Sequence, residues 1–324
     1  MEQLINVILL AMLAIVAIAT AKLKDLFATI ILFGIYSLLT AAIFVSLDAV
    51  DVAFTEAAVG AGISTILILS TIALTARTEK PSTHSVFLPL LVVIVTGVTL
   101  VYGTLDMPGF ADPDAPVQQH VAPRYLNDSI NEVGMPNVVT SVLASYRSYD
   151  TMGEVVVIFT AGISVMLLLS SVKHREDELG NLKDLKHHPI LLYVSQIMIP
   201  LILLFALYVQ FHGDFGPGGG FQAGVIFAAA FILYGMINGI DNTRKIFQNH
   251  ILRWLAVTGV ILYIGVGVVT LFLGGEFLNY NVLTEDNLAG QHYGIFLVEL
   301  GVGIAVAATM LSLFLTFSEV RRSQ

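Results

Sequence analysis

Nine apolar runs of about 20 residues each divide this chain, and that spacing fixes the environment in which it can fold. They cover roughly 4–21, 26–47, 53–76, 86–104, 152–172, 189–211, 219–238, 252–274 and 292–317. Hydrocarbon offers no partner to a backbone N–H or C=O, so runs of this length cross it as helices. Composition agrees: 56% of residues are hydrophobic and 12% charged, whereas a soluble domain carries about 25% charged residues. Mean hydropathy is +0.84. The expected fold is all-α: a polytopic integral membrane protein of about nine transmembrane helices.

Basic residues orient the spans. With the N-terminus outside and the C-terminus inside, 13 of the 15 Lys and Arg residues fall inside, and only Arg124 and Arg147 fall outside. The opposite orientation leaves two inside. The bias supports an odd number of spans as well as their direction. The connection 105–151 is long, polar and outside, and 137–148 has the composition of a helix lying along the interface. A charged inner stretch, 173–188, joins two expected modules: 1–172 with five spans and 189–324 with four. They show no internal repeat. A net charge of −9 argues against a nucleic-acid partner, and the absence of cysteine excludes disulfides and thiolate chemistry. No basic segment precedes the first apolar run, so no cleavable leader is expected.

Ionisable groups at membrane depth are costly and are therefore candidates for function. Glu299 lies in an otherwise uncharged run, about 10 Å into the last span. A lone carboxylate there needs a partner, a protein interior or water. Glu56 opens the third span beside Gly60 and Gly62, which permit a bulge or a close helix contact; an interfacial acid with small packing residues is the plainer reading. Glu154 follows Asp150 near a helix start, where an acid complements the helix dipole, and Arg147 is positioned to pair with Asp150 or Glu154. Lys22, Lys24 and Asp25 end the first span, where snorkelling accounts for them.

Residues 212–224 read His-Gly-Asp-Phe-Gly-Pro-Gly-Gly-Gly-Phe-Gln-Ala-Gly. Gly216, Pro217, Gly218, Gly219 and Gly220 cannot continue a helix cheaply, so the run is a turn at the outer surface or a polar notch. His212 and Asp214 flank it and could relay protons or hold a cation, or simply cap the turn. A third and fourth metal ligand are not apparent, so no metal site is expected. Walker, dinucleotide-binding, nucleophile-elbow and HExxH signatures are all missing, so the chain reads as a non-enzyme without cofactor.

This run resembles the glycine-rich signature of the B subunit of Mrp-type multisubunit cation/proton antiporters. Residues 294–303, Gly-Ile-Phe-Leu-Val-Glu-Leu-Gly-Val-Gly, resemble the last span of that same B subunit. The family often has His and Ser where this chain has Asp214 and Gly216, so the backbone shape is what carries over there. Residues 54–62, Phe-Thr-Glu-Ala-Ala-Val-Gly-Ala-Gly, and 146–154, Tyr-Arg-Ser-Tyr-Asp-Thr-Met-Gly-Glu, resemble the C-terminal part of the large A subunit. The first of these is also similar to the J subunit of respiratory complex I. The chain thus resembles a fusion of an A-subunit tail with a B subunit, without the long antiporter-like module that precedes the tail.

The resemblance implies a component of the plasma (inner) membrane that exchanges Na+ for H+ together with other subunits, the antiporter-like A and D types and the small C, E, F and G types. Glu56, Glu154 and Glu299 are the implied carboxylates of an ion path, with the glycine run shaping an outer mouth or a contact between subunits. The same modules occur in membrane-bound hydrogenases and related respiratory complexes, which leaves a redox-coupled setting open. A scaffold without ion contacts is the third reading. Partners are therefore antiporter subunits, Na+ and H+, and membrane lipid.

Overall fold

A computed structural model describes residues 2–72, 77–79, 85–109, 112–170 and 189–322. The inner linker expected over 173–188 lies outside the described residues. Among them, nine helices are long and apolar enough to cross a membrane. They are α1 (Glu2–Lys22), α2 (Leu26–Ser46), α3 (Val50–Ile72), α4 (Phe87–Thr104) and α5 (Ser148–Ser170), followed by α6 (Pro189–His212), α7 (Gly220–Asn238), α8 (Asn249–Phe272) and α9 (Asn287–Arg322). An isolated bridge between Asp25 and Thr78 is the β-pairing found among the described residues.

Asp25 caps α2, accepting from the backbone N–H of Phe27 (2.9 Å) and Ala28 (3.2 Å), and pairs with Arg77 at 3.2 Å. Of the two arrangements that Gly60 and Gly62 permit, a bulge is present as a π-helical stretch, Ala57–Ser64, in the middle of α3.

α9 is the axis of the bundle. It packs against α7, α8, α5 and α3, and 61% of its most apolar window is buried, against none for α1 and α4. Small residues permit this. A methyl group on Gly301 would lie 2.8 Å from the Gly259 carbonyl of α8, and one on Gly220 would collide with the Glu299 carbonyl. Backbones that approach so closely gain dispersion contacts, the main attraction between helices in lipid.

Before α5 the chain runs through short helices, including Ala122–Asn127 and Val138–Ser141. Arg124 pairs with Glu132 at 3.1 Å, and Glu132 also accepts from the Tyr146 hydroxyl. The hydrogen bonds from Tyr146 and Arg124 hold the Glu132 carboxyl below its usual range. Burial, then the bond to Glu132, pushes Tyr146 up to about 12. The segment 137–148 packs one side inward and leaves Val139, Leu143 and Arg147 exposed on the other. Thr140, Ser141, Ala144 and Ser148 are buried, because small and hydroxyl side chains let it dock on the loop after α6.

Candidate functional site

The glycine run folds as a tight loop tied on three sides. α6 ends at His212, whose carbonyl accepts from the N–H of Phe215 (2.9 Å) and Gly216 (3.0 Å). The Gly219 N–H turns back to the Val209 carbonyl at 3.1 Å. Gly219 has φ +109 and ψ 178, a region open essentially to glycine alone. α7 then starts at Gly220.

Asn137 holds this loop from the other half of the chain. Its side-chain amide donates to the carbonyls of Gly213 (3.1 Å) and Gly216 (3.0 Å) and lies 3.3 Å from Asp51 Oδ1. Its backbone N–H donates to the Asp214 carbonyl at 3.0 Å. Thr140 Oγ1 adds a 2.6 Å bond to the Gly213 carbonyl. The loop backbone is thereby satisfied by side chains, as buried irregular backbone must be.

Beneath the loop is a cavity of about 540 Å³. Asp51 and Thr55 of α3, Glu154 of α5, Gln222 of α7 and Glu299 of α9 line it, with Gly218–Gly220 as one wall. A methyl built on Gly219 would sit 3.1 Å from Glu299 Oε1, and one on Gly213 would sit 3.3 Å from Oε2. Both carboxylate oxygens therefore rest against loop backbone, beside the N-terminus of α7, where the helix dipole favours negative charge. Gln222 is buried and donates to Thr55 Oγ1 at 2.7 Å, joining α7 to α3.

The predicted residues thus divide. Glu299 and Glu154 share the cavity, and Glu299 joins the glycine run, although nothing in the sequence ties that run to the acids. Glu56 does not line the cavity; it lies against Gly60 and Ser37, since a methyl on Gly60 would meet Glu56 Oε1 at 2.5 Å and Ser37 Oγ at 2.6 Å. A methyl on Gly62 would make only ordinary contact, 3.4 Å from the Ala57 carbonyl. Asp150 pairs with Arg147 at 2.6 Å. His212 stacks on Tyr208 with ring centroids 4.8 Å apart. Asp214 is pushed above the usual carboxylate range by burial, and the nearby His292 pulls it back. Pro217 sits in the loop, half-buried. Among the described residues no three His, Asp or Glu side chains converge as a metal site.

Four site residues escape a reading of the sequence: Asp51, Asn137, Thr140 and Gln222. Asp51 reads as punctuation between spans. Asn137 follows Pro136 and precedes an apolar pair, the signature of a helix cap, and it does cap Val138–Ser141 through Val139 N–H at 3.0 Å. Gln222 carries a usable signal, as an amide one turn inside an apolar helix. Carboxylates, hydroxyls and amide oxygens form a hard-donor set, suited to protons and to hard cations.

Residues 190–312 match a family model described as a domain related to the MnhB subunit of Na+/H+ antiporter. Residues 11–77 match a model for the D subunit of MBH, and 89–184 match one for the E subunit of MBH. The chain is 26% identical over 275 residues to a Rhizobium meliloti (strain 1021) protein, the A/B subunit of a probable K(+)/H(+) antiporter, covering 78% of this chain and 27% of that one. It is 30% identical over 135 residues to mnhB2, a putative antiporter component of Staphylococcus epidermidis (strain ATCC 35984), covering 40% of this chain and 93% of that one. The fold matches a chain of the Mrp complex from Dietzia sp. DQ12-45-1b with a TM-score of 0.77 and 24% identity, over 96% of this chain and 34% of that one. The chain therefore spans about a third or less of the Rhizobium and Dietzia proteins.

Proposed function

This chain belongs to the family of MnhB-related antiporter subunits, and from that premise we propose that it is a membrane component of a multisubunit monovalent cation/proton antiporter. It works with antiporter-like and small subunits in the plasma membrane, N-terminus outside, and exchanges Na+ for H+ without catalysing a chemical conversion. Residues 1–172 and 189–324 act as two modules. The ion path runs through the cavity between them. Glu299 and Glu154 alternate between protonated and cation-bound states, and Asp51 supplies a third negative charge.

The observation that carries this reading is that Glu299, Glu154 and Asp51 line one cavity beneath the glycine loop, spread around it rather than converging on one point. Acids drawn from three helices into one cavity, without a basic residue among the described residues that line it, are costly unless a proton or cation compensates them. Glu56, which lies against Gly60 and against Ser37 of α2 rather than in the cavity, passes protons between this path and the rest of the complex. Asp150, His212 and Asp214 modulate the outer mouth.

The test replaces Glu299, Glu154 and Glu56 singly by Gln in a strain without other antiporters. Sodium tolerance and pH gradients in everted vesicles are measured, with assembly checked on the purified complex. Glu299→Gln and Glu154→Gln are expected to abolish exchange in an assembled complex. Normal exchange in all three assembled variants would overturn the reading in favour of a scaffold.

The matches to the MBH D and E components favour a second setting, a complex that couples ion movement to electron transfer. Adjacent genes for iron–sulfur or nickel–iron proteins would select it. The absence of cysteine leaves this chain no thiolate ligand for a cluster in either setting.

A further inference from the structure

A second recess has the opposite chemistry. It is an apolar groove of about 350 Å³ on the module formed by α6 to α9. Ala223 and Ala228 of α7 and Ala307 of α9 form its floor; Leu207 of α6 and Leu255 of α8 stand at its walls. Among the described residues that line it, Gln210 is the one polar side chain. Leu207 is 50% exposed, so the groove opens toward the surrounding bilayer.

Its dimensions select an occupant. On α9 the lining runs from Leu300 to Leu311, about 16 Å at 1.5 Å per residue, close to the depth of one leaflet of a hydrocarbon core about 30 Å thick. An apolar strip of this length, open along the Leu207 side, accepts one extended acyl chain.

The chemistry at one end selects the headgroup. Phe247 and Leu252 close the groove there; Arg253 follows Leu252 and Lys245 lies two residues before Phe247, both exposed. Arg253 Nε donates to the Asn249 carbonyl at 3.2 Å, which holds the guanidinium over the first turn of α8. Trp254, 68% exposed, stands beside it, as indole rings do at headgroup level. The segment 239–254 contains Arg244, Lys245 and Arg253 against a single acid, Asp241.

We propose that this groove is a binding site for one anionic phospholipid, its acyl chain lying between α6 and α8 over α7 and α9 and its phosphate on Lys245 and Arg253. The site is separate from the acidic cavity, and its test does not depend on ion transport.

The test uses the protein in whatever assembly it is purified. Phosphatidylglycerol and phosphatidylcholine, each with a photoreactive acyl chain, are incorporated into vesicles in turn, and adducts are mapped by peptide mass spectrometry. Adducts from the glycerol lipid are expected on Leu207 and Leu255, and the choline lipid is expected to label them far less. The double variant Lys245→Gln, Arg253→Gln should weaken retention of phosphatidylglycerol, read by native mass spectrometry, by about fivefold per charge removed. Leu255→Trp, which fills the groove from its wall, should abolish retention while the headgroup residues remain. Equal labelling by the two lipids, or unchanged retention in folded Leu255→Trp protein, would overturn the proposal. So would a polypeptide cross-linked in the groove in place of lipid.

Discussion

The carboxylate of Glu299 rests against the Cα of Gly219: a side chain of even one carbon at position 219 would come within 3.1 Å of Glu299 Oε1. Two features far apart in sequence are thus one object. At Gly219 the acid and the φ of +109 both exclude a side chain, while a methyl on Gly216 would meet His212, one on Gly218 the Val209 carbonyl and one on Gly220 the Glu299 backbone carbonyl.

Gly219→Ala tests that relationship. The substitution imposes a φ of +109 on an L-residue and presses a methyl on the carboxylate. The backbone term alone is expected to cost about 1–3 kcal/mol. Thermal unfolding in detergent should show the loss, and exchange activity should fall further than stability explains, because Glu299 must move. A Gly219→Ala protein with normal melting and normal exchange would separate the loop from the acid.

The helical plan is legible in the sequence because apolar run length and basic-residue placement are strong, local signals. The site is only half legible. Glu299 and Glu154 stand out as charges in apolar runs, and the glycines stand out as breakers. Their convergence is hidden because it depends on how closely α7 and α9 approach, which rests on Gly220 and Gly303 rather than on any charged residue. Asp51 and Asn137 are hidden for another reason. Each sits at a helix start, where Asp and Asn are expected as caps, and their contact spans 86 positions of sequence.

Asp214 should make stability depend on pH with a definite sign. Burial raises its carboxyl above the ordinary 3.8, with His292 opposing. A carboxyl whose pKa is raised in the folded state supports the fold while protonated. That support is complete below 3.8 and is lost as pH rises through the raised folded value. Asp214→Asn removes the dependence. The melting temperature of the variant relative to wild type should therefore climb from acid toward neutral pH, and His292→Ala should steepen the wild-type decline. A difference that stays constant with pH would refute the assignment.

Gly60→Ala should displace a side chain rather than unfold a helix. The added methyl would fall 2.5 Å from Glu56 Oε1 and 2.6 Å from Ser37 Oγ, both movable side-chain ends. Stability is expected to change by under about 1 kcal/mol, since Ala is intrinsically the better helix former. Exchange should fall if Glu56 carries protons, and Ser37→Ala in the same protein should restore part of it by reopening space. A large drop in melting temperature would show that the π-helical stretch itself depends on Gly60.

Asn137→Ala is expected to destabilise the protein more than any other single change outside the bundle core. The side-chain amide serves the Gly213 and Gly216 carbonyls and approaches Asp51, so its removal strips donors from two loop carbonyls and one acid at once. Leaving the Gly216 carbonyl without its donor costs about 1–3 kcal/mol where water cannot enter, while the Gly213 carbonyl keeps the bond from Thr140. Asn137→Asp should be worse than Ala, because it replaces the donor with a negative charge facing carbonyl oxygens and Asp51. Thr140→Val removes the parallel bond to the Gly213 carbonyl and should cost less, since Asn137 still reaches that oxygen. A double-mutant cycle between Asn137→Ala and Asp51→Asn, read by thermal unfolding, should give a coupling of about 0.5–3 kcal/mol. Strictly additive losses would show that the two residues do not act as one clamp, and that the loop is held by its own turn alone.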